Sequence, residues 1–398
     1  MEAEEFCKKY YLDRRGTNSL KWDGLEGKFG NADLLSMWVA DMDFKMPECM
    51  QQAVIHTMNS APFGYPKGYP GVPDSYYDPF LKWQKTRHAC ILEKESIRFG
   101  AGVVPSILWL INTFTKIQDS VMILTPAYYP FFEVIENTNR RLVTCDLQNN
   151  QGVYSVDYER FEKSIVENNV KLFLQCSPHN PVSRVWTEEE LIIVLEICRK
   201  HNVLVVSDEI HQDITPLGHK FISVLTVDNG SYRNNVIALN SLSKTFNLAG
   251  MVHSHIIICN EELRKQYDHY EETMLRFATN SLAAILTETA YREGEEWLES
   301  ILELIKYNYT TAKDILTKGL PKVIVTELQA TYLMWIDLRE YISGSAQEFI
   351  QNECNLAVDY GEWFGTGFEG FIRINLATST QNVEQAAQKI VSEIQKKL

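Results

Sequence analysis

Short apolar runs alternate with amphipathic stretches along the middle of the chain. Each run has the length and continuous apolar character of a strand buried on both faces of a sheet. Between them, apolar residues recur at helical spacing, as in Ser106–Phe114 and in Thr187–Cys198, which begins with a capping-box pattern. The alternation predicts an α/β fold whose large domain has a mixed, mostly parallel sheet covered by helices. The predicted strands are Val121–Leu124, Arg141–Cys145, Lys171–Cys176, Val203–Val206, Val236–Leu239 and His255–Cys259.

The pattern changes after about residue 280, where a long charged helix is predicted over Glu288–Lys313. We therefore expect a large domain over residues 51–285 and a smaller α+β domain over residues 286–398. Residues 1–50 are expected to pack against the smaller domain. The elements predicted beyond the long helix are three strands and a closing helix, Val323–Thr326, Tyr332–Asp337, Phe371–Leu376 and Asn382–Lys397.

Composition and charge narrow the class of protein. The 398 residues are 45% hydrophobic and 23% charged, as in a soluble globular protein, and the net charge of −14 disfavours nucleic acids and anionic membranes as partners. The eight cysteines form no C-x-x-C pair, which indicates a reducing compartment rather than a zinc or redox motif. There is no signal-peptide layout and no apolar run approaching the ~18 residues of a membrane span. We expect a cytoplasmic protein.

Polar segments follow four of the predicted strands. Because parallel strands bring their carboxyl ends to one edge of a sheet, the side chains of these segments are expected to surround one pocket. The four segments are Thr125–Pro130, Ser177–Pro181, Ser207–Gln212 and Ser241–Lys244.

The groups in these segments are complementary to pyridoxal 5′-phosphate (PLP). The Lys244 amine can bond covalently to the aldehyde, and Asp208 can keep the pyridinium nitrogen protonated so that the ring withdraws electrons. Tyr128 can stack on the ring, Asn180 can donate to the ring oxygen, and His211 is placed beside the ring. The phosphate is assigned to two hydroxyls and to backbone N–H groups that precede a helix, those of Ser241, Ser243, Gly102, Val103 and Val104.

Each of these residues also has a purely structural explanation. Asp208 and Asn180 could cap helices or turns, Tyr128 could be core packing, and His211 could be a structural histidine. Lys244 alone could be an exposed loop lysine. The joint arrangement, with each group at a strand end, favours the cofactor site.

Charged residues interrupt two otherwise apolar stretches. Arg373 interrupts the strand Phe371–Leu376 and, if buried, needs an anionic partner. That partner could be a protein carboxylate, but the nearby cofactor groups favour the α-carboxylate of an amino-acid substrate. Asp41 and Asp43 alternate within Trp38–Phe44, where they are expected to cap turns rather than to bind a metal.

These motifs resemble fold-type I PLP enzymes, the aspartate aminotransferase superfamily, along nearly the whole chain. More closely, the chain is similar to the MalY/PatB class of cystathionine β-lyases, also called C–S lyases. The lysine, aspartate and asparagine motifs are typical of the superfamily, and Trp38–Phe44 and Ser243–Gly250 are typical of the subclass. The other matching segments are Asp13–Asp23, Gly102–Pro105, Ser177–Val182 and Ser207–His211.

The resemblance implies a homodimer with active sites at the subunit interface. Tyr65, in Phe63-Gly-Tyr65, would reach the phosphate of the neighbouring subunit's cofactor, and Tyr65 and Asn180 would also contact the substrate. Ser183 departs from the family, which usually has glycine at that position. A positive φ there would be mildly strained by serine.

The reaction expected from the resemblance is α,β-elimination from a sulfur-containing L-amino acid such as L-cystathionine or L-cysteine. Pyruvate, ammonia and a thiol would be formed, with Lys244 as the base and with Asp208 and Tyr128 as further catalytic residues. An aminotransferase would use the same residues, and the motifs alone do not decide between the two reactions. A third hypothesis is a regulatory binding protein that retains the fold. The intact set of lysine, aspartate and asparagine argues against it.

Overall fold

The structure is a computed structural model that describes residues 1–60, 63–274 and 279–398. In chain order, its strands are β1 (Leu35–Ser36), β2 (Ile97–Gly100), β3 (Ser120–Thr125), β4 (Arg141–Asp146), β5 (Gln148–Asn150), β6 (Val153–Ser155), β7 (Val170–Cys176), β8 (Leu204–Asp208), β9 (Val236–Asn240), β10 (Ser254–Ile257), β11 (Ile324–Val325), β12 (Leu333–Asp337), β13 (Leu356–Ala357), β14 (Asp359–Tyr360) and β15 (Phe371–Asn375). Its α-helices are α1 (Ala3–Tyr10), α2 (Leu20–Asp23), α3 (Leu25–Phe29), α4 (Glu48–Ser60), α5 (Tyr77–His88), α6 (Val103–Phe114), α7 (Pro130–Asn137), α8 (Tyr158–Asn168), α9 (Glu188–Lys200), α10 (Leu242–Thr245), α11 (Glu261–Thr273), α12 (Ser281–Glu293), α13 (Glu295–Gly319) and α14 (Thr380–Gln395).

The larger sheet has the strand order β2-β10-β9-β8-β7-β3-β4 within the described residues. Strands β9, β8, β7, β3 and β4 pair in parallel, and β10 runs antiparallel to both of its neighbours. The predicted α/β fold with a mixed, mostly parallel sheet is confirmed. The six predicted strands agree with the observed bounds to within two residues. Strand β2 was not predicted, because Arg98 and Gly100 interrupt its apolar pattern.

Alternate residues of the central strands enter two separate cores, one on each face of the sheet. Ile237 and Leu239 of β9 join a cluster with Ile107 of α6 and Phe131 of α7. The intervening Ala238 joins the other, larger cluster. This two-sided burial explains why the strands appear in the sequence as continuous apolar runs.

A smaller sheet, β11-β12-β15-β14, is antiparallel throughout, and its strand β11 contacts α13, which in turn packs against α14. The prediction of a single helix over Glu288–Lys313 was wrong in its extent. The chain instead forms two helices, α12 and α13, with Gly294 between them. A Cβ at Gly294 would lie 2.6 Å from both the Ala290 carbonyl oxygen and the Phe246 ring. Only glycine permits this close approach.

Residues 35–44 contact the C-terminal part of the chain, where β1 and β13 form a separate two-stranded sheet. Leu35 and Ser36 of β1 pair in parallel with Leu356 and Ala357 of β13. Farther along, the Asn375 side-chain amide donates to the carbonyl oxygens of Val39 and Asp41, both at 2.6 Å. This pairing carries residues 38–44 to the carboxyl edge of the larger sheet. None of the helices in the described ranges is long and apolar enough to cross a membrane.

Candidate active site

A cavity of about 200 Å³ lies at the carboxyl ends of the parallel strands. The four polar segments predicted to converge follow β3, β7, β8 and β9, which are neighbours in the sheet. Ser241 lies behind the cavity wall, with its hydroxyl oxygen 2.5 Å from that of Ser243. The predicted site residues that line the cavity are Gly102, Val103, Val104, Tyr128, Asn180, Asp208, His211, Ser243 and Lys244.

Lys244 lies in the short helix α10, one turn beyond the end of β9. Its ammonium donates to the carbonyl oxygen of Ala40 at 2.6 Å. Burial lowers the pKa of Lys244 to about 8, although the nearby carboxylate of Asp41 opposes the shift. A substantial fraction of the amine is therefore neutral near physiological pH, as required of a nucleophile or a general base.

Asp208 is the last residue of β8 and is 5% exposed. Its Oδ1 accepts a hydrogen bond from the Ile210 backbone amide at 3.0 Å, and none of the salt bridges among the described residues includes it. Burial raises the pKa of Asp208 to about 7, against the opposing effects of the Ile210 amide and Lys244. A buried carboxylate that faces a cavity in this way favours a cationic group inside the cavity.

His211 faces the same cavity and is buried. Its Nδ1 has no hydrogen-bond partner among the described residues. Burial, together with the positive charges of Lys244 and Arg373, holds the pKa of His211 well below its usual value, so the ring is neutral. The His211 ring therefore lines the cavity as an uncharged group, and its buried Nδ1 is an unsatisfied polar atom in the cavity wall.

The opposite wall of the cavity has the groups expected of an anion site. Helix α6 begins directly after Gly102, and the N–H groups of Val103 and Val104 lie in its first turn, where no carbonyl within the helix can accept them. Gly102 has φ 101° and ψ 162°, a conformation that essentially only glycine adopts. With the hydroxyl of Ser243, which lines the same cavity, these amides suit a phosphate. The hydroxyl of Ser241, which the sequence also assigned to the phosphate, does not line the cavity and donates to the His253 carbonyl oxygen at 2.6 Å.

This donor set fits PLP. An amine of lowered pKa can bond to the aldehyde, a buried carboxylate can pair with a protonated ring nitrogen, and helix amides with hydroxyls can hold the phosphate. The ring of Tyr128 and the amide of Asn180 line the space between these groups.

Arg373 lies behind the cavity and is 2% exposed. One terminal nitrogen of its guanidinium donates to Asn180 Oδ1 at 2.7 Å, and the other donates to the carboxylate of Asp359. Its Nε has no partner among the described residues. A protein carboxylate therefore already neutralises the arginine that the sequence assigned to a substrate carboxylate.

Two other sequence expectations concern loops. Tyr65 is fully exposed and does not line the cavity of its own chain, so its assignment to a neighbouring subunit stays a prediction.

Ser183 has φ 56°, the left-handed conformation for which glycine is favoured. Its hydroxyl donates to the Leu333 carbonyl oxygen at 2.6 Å and lies 2.7 Å from Thr331 Oγ1, so the serine is tied to the smaller sheet.

Residues 38–44 form part of the site, which the sequence analysis did not predict. Besides the Ala40 contact to Lys244, the Asn247 side chain bonds both the N–H and the carbonyl of Met42, at 2.9 and 2.8 Å. Asp41 and Asp43 do not act as simple turn caps, because both form ion pairs. Asp41 pairs with Arg14 at 2.7 Å and Asp43 with the fully buried Lys21 at 2.8 Å.

Asp359 is the second residue that the sequence analysis missed. It is buried beside Arg373 at the start of β14. The available signal was a charged residue within the short apolar run Leu356–Tyr360. A buried charge must have a partner, but the sequence does not say which cation provides it.

Comparisons with known proteins agree with this geometry. Residues 41–390 match the family model of the aminotransferases of class I and II. The chain is 33% identical to cystathionine beta-lyase PatB from Bacillus subtilis, over 95% of this chain and 97% of the relative. The structure of cystalysin from Treponema denticola, which contains a pyridoxal 5′-phosphate cofactor, matches with a TM-score of 0.92 and 31% identity over 97% of this chain and 98% of that one. A PLP-bound C–S lyase from Staphylococcus hominis matches with a TM-score of 0.89 and 32% identity over 96% of each chain.

Proposed function

The chain belongs to the aminotransferase class I and II family, and from that premise we propose that it is a PLP-dependent carbon–sulfur lyase. The family membership confirms the resemblance inferred from the motifs. The observation that carries the proposal is the convergence of the Lys244 amine and the Asp208 carboxylate on one buried cavity. Relatives with matching chains over nearly their whole length are named cystathionine beta-lyase and C–S lyase, which supports elimination at a carbon–sulfur bond.

The cavity residues would hold the cofactor in the following way. Lys244 would bind it covalently, Asp208 would pair with its ring nitrogen, and Asn180 would donate to its ring oxygen. Tyr128 would cover one face of the ring. When bound, the cofactor supplies an electron sink for the bonding pair at the substrate α-carbon. Its phosphate would be held by the amides of Val103 and Val104 and by the hydroxyl of Ser243, which the Ser241 hydroxyl hydrogen-bonds.

Lys244 would carry the proton in the reaction. Its neutral amine accepts the α-proton of the substrate, and the carbon–sulfur bond then breaks with its electron pair on sulfur. The leaving thiolate takes up a proton and departs as the thiol. One water completes the reaction, so a cysteine thioether yields a thiol, pyruvate and ammonia.

Arg373 would bind the substrate α-carboxylate. The arginine is buried beside Asn180, on the side of the cavity that faces the smaller sheet. A guanidinium binds a carboxylate through two parallel N–H donors, which fixes the orientation of the α-carbon. Together with the relatives named cystathionine beta-lyase and C–S lyase, this carboxylate site supports an L-amino acid with sulfur on its β-carbon as substrate, such as L-cystathionine or L-cysteine.

Purified protein incubated with PLP tests the proposal. We expect a visible absorbance band from the lysine-bound cofactor, and stoichiometric pyruvate and thiol from L-cystathionine without any added 2-oxo acid. Lys244→Ala should abolish both. The family also includes aminotransferases, which are the second candidate. Turnover that requires a 2-oxo acid and releases no thiol would identify an aminotransferase instead.

We also propose that the protein acts as a cytoplasmic homodimer, with domain limits at residues 51–285 and 286–398. The fully exposed Tyr65 supports a subunit contact, because an aromatic residue assigned to cofactor binding has no role on an isolated chain. All eight cysteines are free, which fits a reducing compartment.

A further inference from the structure

The carboxylate-binding arginine of the proposed site already has an internal carboxylate. Asp359 on β14 lies directly opposite Arg373 on β15 in the antiparallel register, and both side chains are buried. The guanidinium donates to one oxygen of Asp359, while the other oxygen, Oδ1, has no hydrogen-bond partner among the described residues. The pair is therefore built into the smaller sheet at the wall of the site.

The Arg373 guanidinium is the nearest positive charge to Asp359. When a substrate binds, this one guanidinium has to neutralise two carboxylates, that of Asp359 and that of the substrate. Lys28 of α3 contributes a weaker, more distant positive charge, and its ammonium lies 4.4 Å from the centre of the Trp363 ring. The other ionisable groups near Asp359 are the phenols Tyr128, Tyr129 and Tyr360, all of raised pKa and therefore neutral. A bound amino acid would bring a second carboxylate to Arg373 without bringing a second cation to Asp359.

We propose that Asp359 and the substrate α-carboxylate share Arg373, so that Asp359 takes up one proton when an amino-acid substrate binds. The inference rests on the proposed function, because it requires Arg373 to receive the substrate carboxylate. Asp359 is thus a positioning residue that makes substrate affinity depend on pH. Affinity falls as pH rises, because an ionised Asp359 competes with the substrate for the same guanidinium.

Burial and charge repulsion act in the same direction on this residue. Burial raises the pKa of Asp359 even though Arg373 opposes the shift. A second carboxylate on the same cation raises the pKa of Asp359 further, as in any pair of carboxyl groups that share a site. Protonated Asp359 can still accept a hydrogen bond from Arg373 through its carbonyl oxygen, and the arginine charge is then available to the substrate.

Calorimetric titration of the PLP-loaded enzyme with 3-(methylthio)propionate measures the proton directly. This probe has the carboxylate and the thioether but no amine, so it occupies the carboxylate site without reacting. Titration in two buffers of different ionisation enthalpy gives the number of protons taken up per molecule bound. We expect Asp359→Asn to take up fewer protons than the wild type, by as much as one at the pH where the difference is largest. The variant should also bind the probe more tightly at high pH, with the affinity ratio rising by up to tenfold for each pH unit.

Asp337→Asn is the matched control, because Asp337 also pairs with an arginine, Arg339, at 2.7 Å in the same sheet. It should leave the proton count unchanged. Equal proton counts for Asp359→Asn and the wild type would overturn the proposal. If Asp359→Asn does not fold, the titration of the wild type alone tests the proposal. Probe binding to the wild type without proton uptake between pH 6 and 9 would also overturn the proposal.

The same titrations separate this inference from the proposed function. Probe binding that is unchanged in Arg373→Gln would show that Arg373 is not the carboxylate site, and would remove that part of the proposed function. Binding that requires Arg373 but takes up no proton would remove only the role of Asp359. Elimination of thiol from L-cystathionine is measured independently of both.

Discussion

Asp208 and Asp213 are both buried and lie close together in the chain, but their surroundings shift their pKa values in opposite directions. Asp213 accepts hydrogen bonds from Trp83, His88 and Thr245, at 2.9, 2.8 and 2.9 Å. These bonds and the nearby Arg87 outweigh burial and lower its pKa. Asp208 has only the Ile210 amide, so burial prevails and its pKa rises to about 7. The fold stabilises the ionised form of Asp213. The ionised form of Asp208 destabilises the cofactor-free protein, and a bound cation would offset this cost.

Replacement of Asp208 by asparagine should therefore stabilise the cofactor-free protein. The unfolded carboxyl loses its proton near its ordinary pKa of 3.8, but the folded one does so only near 7. Between these values the folded state binds more protons, so this group lowers the stability as pH rises and the full cost is present above pH 7. Asp208→Asn should raise the free energy of unfolding above pH 7, by at most about 4 kcal/mol, and should raise it little at pH 4. Denaturant titrations across this pH range measure the difference.

Asp213→Asn is the control for that series, and it should destabilise the protein at neutral pH because it removes a satisfied, ionised partner. In the loaded enzyme, Asp208→Asn should lower the rate of elimination by ~100-fold or more, because the charge opposite the ring nitrogen is lost. A destabilised Asp208→Asn apoprotein at pH 8 would contradict the assignment of a strained carboxylate.

Ser183 combines a strained backbone with two buried hydroxyl contacts. Ser183→Gly relieves the left-handed φ but removes the contacts to Leu333 and Thr331, so the two effects oppose each other. We expect Ser183→Gly to change the free energy of unfolding by less than about 1 kcal/mol. Ser183→Ala keeps the strain and loses the contacts, and it should destabilise the protein by about 1–3 kcal/mol. Thermal unfolding of both variants tests this order, and a more stable alanine variant would refute it.

At the scale of elements, the sequence predicted those strands whose burial leaves a continuous apolar run. Strands β3, β7, β8 and β9 were found because both of their faces are apolar. The lysine, aspartate and asparagine of the site were found because each lies at or just beyond the carboxyl end of one of these strands. Strand β1 was not found, since two residues that pair with a strand more than three hundred positions later leave no local pattern. The Asp359–Arg373 pair was not found either, because it is created by the register of β14 against β15, which the apolar pattern does not specify.

Gly102, which directly precedes α6, should not accept a side chain without backbone strain. A Cβ there would have room, since its nearest neighbour would be Pro105 at 3.7 Å, so the backbone conformation is the constraint. Gly102→Ala should cost about 1–3 kcal/mol in this conformation. Because the turn presents the amides of Val103 and Val104, PLP affinity should fall by ~10-fold or more.

Equilibrium titration of the apoprotein with PLP measures this loss of affinity. Gly218→Ala is the matched control, since Gly218 also has a positive φ, 78°, and open space around it, but it does not line the cavity. The control should lose stability but retain PLP affinity. Equal losses of affinity in the two variants would show that the α6 turn has no specific role.

At the scale of the whole molecule, the exposed face near Tyr65 predicts a dimer whose sites are shared. Ile55 and Met58 lie one turn apart on α4 and are exposed, as is Phe63 just before Tyr65. Apolar residues in this arrangement are typical of a subunit contact. Light scattering should give twice the chain mass of 45.9 kDa.

Mixed dimers test whether Tyr65 acts across that contact. Lys244→Ala alone should be inactive, and Tyr65→Phe alone should bind PLP more weakly. A dimer with one chain of each kind has one site with Lys244 from one subunit and Tyr65 from the other, so part of the wild-type PLP affinity and activity should return on mixing. No recovery after confirmed subunit exchange would place Tyr65 outside the neighbouring site.

The pairing of β1 with β13 also bears on how the protein is made. The carbonyl of Ala40 reaches Lys244 only when residues 38–44 are in place, and Asn375, near the end of the chain, holds them there. On the ribosome, the first forty residues therefore emerge long before the strands that receive them. The larger sheet can form while translation continues, but its pocket stays open on one side until the last strand is released. We expect the nascent chain to become competent for cofactor capture only after residue 375 has left the ribosome.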